Sequence, residues 1–398
     1  MEQAYLVMVT PGDNHNKYYR MTQNGSTFTA EYGRVGSSPQ RKVYPMTRWP
    51  SIYTQKIQKG YVDQTSLHSG RVVTTAVADY KEIEDAAVQR LVDILLSAAK
   101  QTIKRNYRTT VDEVTPAMIM EASRLIHSLD VSMDIDTFNR VLLELFAVIP
   151  RRMTKVDYYL AKSSEPAEYA KILEREQEIL DAMSGQVYTT GKMLSAQTQN
   201  VPKQTILESV GLSIRPCTDK ENEEIISHMR SEAARHFARA FRVYNKEASE
   251  RLEKYREDND IRKAHYYYHG SRTCNYWNIL AMGLDINPNA LTAGKMFGNG
   301  TYFANKAKKS MRYTDLPGQN NVHVTSGETA YLSVFKVVYK NAMDIYRWQN
   351  EYMRLNYHAL SVKGYDAVFA HGGADLVNDE IVIYQNCQSA PHYIIELK

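Results

Sequence analysis

The chain holds 398 residues, 43% of them apolar and 24% charged, which is too long for one ordinary core and too apolar for a disordered or fibrous chain. Its 49 Lys and Arg against 45 Asp and Glu leave a formal charge of +4, which excludes a uniformly basic nucleic-acid coat. Three scattered cysteines, Cys217, Cys274 and Cys387, suit neither a disulfide framework nor a structural zinc site; the expectation is no metal and a reducing compartment.

The start, MEQAYLVMVT, lacks a signal-peptide pattern, no run approaches a membrane span, and no lipidation signal is present. The expected setting is intracellular, nuclear in a eukaryote or cytoplasmic in a bacterium, with no membrane partner. Residues 1–75 then concentrate the charge. They carry nine basic residues against four acidic ones, a net +5, while the remainder carries 40 against 41. Strand-like segments AYLVMV, KYYRMT and TFTAEYGRVG are separated by turn residues, with Asn24-Gly25 as a hairpin turn. Residues 66–78 are rich in Ser, Thr and Gly and are expected to form a linker or irregular edge.

Helical periodicity starts near Asp79, with Val88, Leu91, Val92, Leu95 and Leu96 on one face. A second helix follows Thr115, a capping residue, with Pro116 in its first turn. A third runs from about Ile135 until Pro150 stops it. A fourth covers roughly Glu165 to Met183. The polar stretch 184–205 is expected to be a loop or domain boundary. Beyond it, residues 210–214 are expected to be a strand and residues 221–240 a helix. Strands near 266–268, 330–339, 367–370 and 380–385, and the closing PHYIIEL, indicate a sheet-containing domain. Short helices are expected over Asn275 to Met282, closed by Gly283, and over Ala304 to Tyr313.

Chemistry concentrates in three short C-terminal segments: Tyr268-His269-Gly270-Ser271-Arg272, then MFGNGTYFA at 296–304 with Lys309, Ser310 and Tyr313, then Asn378-Asp379-Glu380 leading into IVIY. Glycines there let backbone approach a ligand. Neither a dinucleotide G-x-G-x-x-G nor a phosphate loop is present. Read singly, His269 is an ordinary polar residue, Ser310 a surface hydroxyl, Tyr302 and Tyr313 two of 29 tyrosines, and Glu380 a strand-edge carboxylate.

Taken together, in order and spacing, these segments resemble the catalytic domain of the poly(ADP-ribose) polymerases. Residues 79–205 resemble that family's helical regulatory domain. The front module resembles its small nucleic-acid-binding domain named after a Trp-Gly-Arg triplet, here Tyr32-Gly33-Arg34. The resemblance implies a multidomain α+β protein: residues 1–78 a small basic mixed β domain, 79–205 a helical bundle, 206–398 an α+β ADP-ribosyltransferase domain. It implies NAD as substrate. His269 is expected to donate toward the adenosine ribose. Gly270 and Ser310 are expected to clamp the nicotinamide carboxamide. Tyr313 and Tyr302 are expected to wall its ring, and Glu380 to orient the reacting hydroxyls. Ser271, Phe303, Ala304 and Lys309 complete the expected NAD-binding set, and His269, Tyr302 and Glu380 the catalytic one.

The residue types suit the chemistry. A carboxylate beside the ribose stabilises the positive charge that develops as the glycosidic bond breaks, and aromatic walls hold a flat heterocycle. One departure concerns Asp285 after Gly283-Leu284, where many relatives carry a basic residue; an acid near a pyrophosphate is unfavourable. The donor-site loop, about Asp285 to Lys295, is short. For nucleic acid, Arg34 is the first expected contact, with Tyr32, Gly33, Arg48, Trp49, Lys56 and Lys59 supplying stacking and phosphate contacts. The implied activity is poly-ADP-ribosylation of proteins, itself included, stimulated by DNA strand breaks. The alternatives are mono-ADP-ribosyl transfer, NAD hydrolysis, or an inactive DNA-end-binding scaffold.

Overall fold

The computed structural model describes residues 2–68, 80–130, 132–198, 203–284, 296–317 and 329–398. The described residues of Met1–Val77 and Gln101–Val187 form one compact unit, and those of Ala78–Lys100, Tyr188–Pro288 and Gly294–Lys398 a second.

In the first unit, β1 (Gln3–Thr10), β2 (His15–Asn24), β3 (Thr27–Arg34) and β4 (Gln40–Pro45) form an antiparallel meander, and β5 (Val62–Asp63) pairs with the free edge of β1. The β2–β3 turn is Asn24-Gly25, where Gly25 has φ +62° as the tight turn requires. Alternation along the strands sends Leu6, Tyr19, Met21 and Phe28 to one face. There α1 (Trp49–Gln58) covers them with Trp49 and Ile52. The short helix α2 (Thr65–His68) follows; the rest of the expected linker lies largely outside the described residues.

Helices α3 (Ala86–Asn106), α4 (Pro116–Ser128), α5 (Ile135–Val148) and α6 (Pro166–Thr198) come next. Thr115 Oγ1 accepts from Met118 N at 3.2 Å, the expected cap of α4, and Asp134 caps α5 through Thr137 N at 2.9 Å. The α5 residue Phe138 stacks on Tyr169 of α6 at 3.7 Å in a core with Leu125, Leu142 and Phe146. Helix α6 runs to Thr198, so much of the loop expected at 184–205 is helix. The reason is that buried polar groups replace apolar ones: Thr189, 5% exposed, accepts from Trp277 Nε1 at 2.8 Å, a contact that hydropathy does not register.

The second unit continues with α7 (Ile206–Ser209), β6 (Leu212–Pro216), α8 (Asp219–Ala234), β7 (Phe237–Asn245), α9 (Lys246–Asp258), β8 (His265–Gly270) and α10 (Thr273–Met282). Then come β9 (Thr301–Phe303), α11 (Ala307–Met311), β10 (Ala330–Val337), β11 (Ala342–Ile345), α12 (Tyr357–Ser361), β12 (Ala367–Ala370), β13 (Glu380–Ile383) and β14 (Ser389–Leu397). The helix expected over 221–240 ends at Ala234. From Phe237 the chain is strand, paired on both sides so that Phe241, Val243 and Asn245 are buried. Two sheets result, ordered β6-β7-β14-β10-β8 and β11-β12-β13-β9. They join where Tyr268 and Ala304 exchange backbone hydrogen bonds of 2.8 and 3.0 Å. No described helix is long and apolar enough to cross a membrane.

Candidate active site

The junction of the two sheets gathers the three C-terminal motifs. His269 and Gly270 end β8, opposite Ser333 and Leu332 of β10. Just past Ala304, α11 carries Lys309 and Ser310. Tyr302 of β9 pairs with Val382 of β13, which begins at Glu380.

Gly270 is where these elements meet most tightly. A Cβ built there would lie 1.8 Å from the carbonyl oxygen of Ser310 and 3.3 Å from Tyr313 Cβ. Only glycine permits that approach. Ser310 is 4% exposed, and its Oγ donates to Tyr268 O at 3.1 Å, leaving the hydroxyl oxygen as an acceptor beside Gly270. Tyr313 is 55% exposed, so one ring of the expected pair is open to a ligand.

His269 Nδ1 lies 3.0 Å from the carbonyl oxygen of Tyr302. A carbonyl only accepts, so Nδ1 carries the proton and Nε2 of the neutral ring is an acceptor. Burial pushes the imidazole below its ordinary range, the Tyr302 hydrogen bond acting against it. The ring therefore stays neutral, with Nε2 able to accept a hydrogen bond rather than to donate the one that was expected. Its backbone carbonyl is fixed by Ser333 Oγ at 2.8 Å and Tyr276 OH at 3.3 Å.

Tyr302 is held by its own motif. Its hydroxyl donates to Gly298 O at 2.8 Å and accepts from Phe297 N at 3.0 Å. Gly298 has φ +72°, and a Cβ there would meet Leu355 O at 2.0 Å, so the turn demands glycine twice over. Burial raises the Tyr302 phenol well above its usual range, and the ring is a neutral wall.

Glu380 and Lys309 form an ion pair, their side chains 12% and 15% exposed. The Lys309 ammonium also reaches the carbonyls of Asn378 at 3.4 Å and Asp379 at 3.5 Å. The second carboxylate oxygen of Glu380, Oε2, is buried with no hydrogen-bond partner. A buried carboxylate oxygen without a partner is costly unless a ligand group completes it.

Three expected residues have other roles. Phe303 and Ala304 are each 2% exposed; Phe303 packs its ring against that of His269 at 5.8 Å, and Ala304 joins the sheets. Neither presents a surface to a ligand. The Ser271 hydroxyl accepts from Asn275 Nδ2 at 3.2 Å and so is tied to the first turn of α10. Asp285 and the donor-site loop lie outside the described residues. Sequence reasoning missed a clamp on the start of β13. Asn305 Nδ2 donates to Asp379 Oδ2 at 2.6 Å, Gly372 N to Asp379 Oδ1 at 2.8 Å, and Lys306 Nζ to Asn378 Oδ1 at 3.0 Å. These residues are far apart in sequence, and no spacing signals them. Among the described residues no group of three His, Cys, Asp or Glu is placed to hold a metal.

In the front domain, the expected contacts separate. Trp49 is 7% exposed and packs edge-on against Phe28 at 5.0 Å, so it is a core residue and offers no stacking face. The Arg34 guanidinium donates to Asn14 O at 2.7 Å and to Thr154 O at 3.3 Å, which ties it inside the chain. A Cβ built at Gly33 would lie 3.8 Å from Ser38 O, an ordinary contact, so the space around this position does not itself demand glycine. Lys56 lies over Tyr19 at 3.9 Å, with Tyr32 and Tyr61 also beneath it. Burial, then Lys59 and Lys17, lower its pKa. Lys56 thus has Lys59 and Lys17 near it, and Lys17, distant in sequence, was not among the expected contacts. Arg48 is exposed at the start of α1.

Comparison with known proteins identifies two family domains in the chain. The profile of the poly(ADP-ribose) polymerase catalytic domain matches residues 219–333, which include His269, Tyr302, Ser310 and Tyr313, and the WGR domain profile matches residues 2–67. The chain is 30% identical over 164 residues to the putative poly [ADP-ribose] polymerase-like 100L of Invertebrate iridescent virus 6, covering 39% of this chain and 85% of that protein. It is 30% identical over 186 residues to uncharacterized protein 101L of the same virus, covering 46% and 76%. It is 39% identical over 72 residues to poly [ADP-ribose] polymerase 1 of Danio rerio, covering 18% and 7%.

Proposed function

The chain belongs to the poly(ADP-ribose) polymerase family, an ADP-ribosyltransferase-type enzyme with a family catalytic domain and an N-terminal WGR domain, and on that premise we propose that it builds poly(ADP-ribose) on proteins, itself included, when it meets broken DNA. The observation that carries this reading is Glu380: one carboxylate oxygen is held by Lys309 and the other is buried without a partner. A ribose hydroxyl completes that oxygen. The residues suited to NAD are Gly270 with Ser310 for the carboxamide, Tyr313 with Tyr302 for the ring, and His269 Nε2 as acceptor for an adenosine-ribose hydroxyl.

The reaction breaks the C1′–N bond of the nicotinamide ribose, and the bonding electrons leave with nicotinamide. Positive charge develops on the ribose, and the Glu380 carboxylate stabilises it more in the transition state than in the ground state. An acceptor hydroxyl then bonds to C1′, and Glu380 Oε2 is the base in reach for its proton. Neutral His269 and neutral Tyr302 add no competing charge. The lysine cluster of the front domain supports contact with nucleic-acid phosphates.

The test incubates the purified chain with labelled NAD, with and without a nicked duplex, beside Glu380→Gln. The expected result is a DNA-dependent high-mass ladder, with the initial rate of nicotinamide release in the variant down about 100-fold. A single sharp band would replace polymer synthesis by mono-ADP-ribosyl transfer. No transfer by the folded wild-type chain would overturn the reading.

A further inference from the structure

A second pocket opens in the catalytic unit, away from the residues assigned to NAD. It has a volume of about 280 Å³ and is walled by β7, α9, β8, β10 and β14. Its β8 residue, Tyr266, lies three positions before His269, so pleat alternation projects the two from opposite faces of the sheet.

The pocket is built around an irregularity. The β10–β14 register shifts so that Val334 opposes Tyr393 and Phe335 opposes Pro391, leaving His392 as an extra residue. Such a bulge re-aims a side chain, and bulges are common beside ligand sites. Here the His392 ring meets that of Tyr266 at 4.4 Å and accepts a hydrogen bond from the Arg242 guanidinium. Burial, with Arg242 and Lys336 nearby, holds His392 unprotonated. The guanidinium has no carboxylate partner among the described residues. The other cation of the pocket, Lys336, is paired with Glu253. Two large aromatic residues are left open at the pocket, Tyr266 at 52% and Tyr244 at 50% exposure.

The Arg242 guanidinium, held by His392 and lying over the Tyr393 ring at 5.0 Å, has no carboxylate to neutralise it and so can take a planar or tetrahedral oxyanion, and an exposed tyrosine offers a face for a flat ring. At about 280 Å³ the pocket lies just below the range of roughly 300 to 1,000 Å³ usual for small-ligand sites, which leaves room for a mononucleotide at most and not for a dinucleotide. The exposed carboxylate of Glu250 on its rim disfavours a second or third phosphate. We propose that this pocket is a second nucleotide site, which takes a purine nucleoside monophosphate with its base against Tyr266 and its phosphate on Arg242.

The test is calorimetric titration of AMP into the full chain carrying His269→Ala, which removes the acceptor proposed for the adenosine ribose at the NAD site. Saturable binding is expected to persist. It should weaken at least tenfold when Tyr266→Ala or Arg242→Gln is added, and adenosine should bind at least tenfold more weakly than AMP. Tyr266 is half exposed, so its variant should fold, as circular dichroism and thermal melting would verify. Absence of saturable binding at millimolar AMP overturns the proposal. So does binding that neither substitution changes, or equal affinity for adenosine. The outcome is independent of polymer synthesis, because the titration contains no NAD.

Discussion

A single methyl group decides whether the close approach of β8 to α11, proposed above to hold the carboxamide, exists. Replacing Gly270 by Ala would drive a carbon to within 1.8 Å of the Ser310 backbone oxygen, so α11 must move or β8 must bend. Overpacking of this kind costs about 1–3 kcal/mol. Gly270→Ala is therefore expected to lower the melting temperature and to raise KM for NAD, and thermal melting beside nicotinamide-release kinetics checks both. An unchanged KM would show that Ser310 and Tyr313 do not depend on this approach. Four of the expected site residues share one property. His269, Ser310, Tyr313 and Glu380 lie in short motifs whose order and spacing are specific even before folding. Three other expected residues share the opposite one. Trp49, Phe303 and Arg34 are the right chemical types for a ligand, but burial or internal hydrogen bonding assigns them elsewhere, and no local pattern reports either.

At the scale of the element, the start of β13 is as important as the residue it presents. Asp379 is gripped from β9's trailing segment by Asn305 and from the end of β12 by the Gly372 amide, and this fixes where Glu380 emerges. Asp379→Ala leaves Glu380 in place chemically but frees its backbone. Misplacement by about 1 Å costs up to about 100-fold in rate. The expected result is a fall in kcat between tenfold and 100-fold with little change in KM, rescued in part by Asp379→Asn, which keeps an acceptor for Asn305. The bulge in β14 makes a different prediction, one of stability. His392 in the native state is pushed to about 3 by burial, then by Arg242 and Lys336, with Glu221 opposing; in the unfolded chain it titrates near its ordinary value of about 6.5. Above both values neither state binds the proton. Between them only the unfolded state does, so stability falls as pH falls from about 6.5 toward 3, by at most about 1.4 kcal/mol per pH unit. Denaturant melts across that window should show a shallower pH dependence for His392→Gln; an identical slope would exclude this histidine as a source. Elements hid from the sequence for the same reason that residues did. The polar half of α6 and the strand β7 are defined by what they pair with, through Thr189 and through β6 and β14, rather than by their own composition.

For the whole molecule, the charge separation seen first in the sequence becomes a localised device. The excess of +5 in residues 1–75 includes Lys56, which lies over Tyr19, Tyr32 and Tyr61, and Lys17 and Lys59, which are near enough to lower its pKa. Domain order was legible, because strand alternation, helical periodicity and catalytic motifs occupy successive stretches. The partition into compact units was not: it passes through α3 between Lys100 and Gln101 and through α6 between Val187 and Tyr188, and nothing in a continuous helical pattern marks such a point. The lysine cluster yields a quantitative test of the nucleic-acid reading. Each phosphate neutralised by a lysine contributes about 0.9 to the slope of log affinity against log salt. Lys56→Ala and Lys59→Ala should therefore each flatten that slope by about 1 for a nicked duplex, whatever its sequence, and the pair should act additively. Lys56→Ala should also weaken DNA stimulation of nicotinamide release while leaving the DNA-free rate unchanged, because the lysine lies in the other compact unit from Glu380. An Arg48→Ala variant, exposed on the same helix but outside the cluster, separates a specific contact from a general loss of charge. If it flattens the slope as much as either lysine, the aromatic floor is irrelevant and the front domain binds through diffuse charge alone.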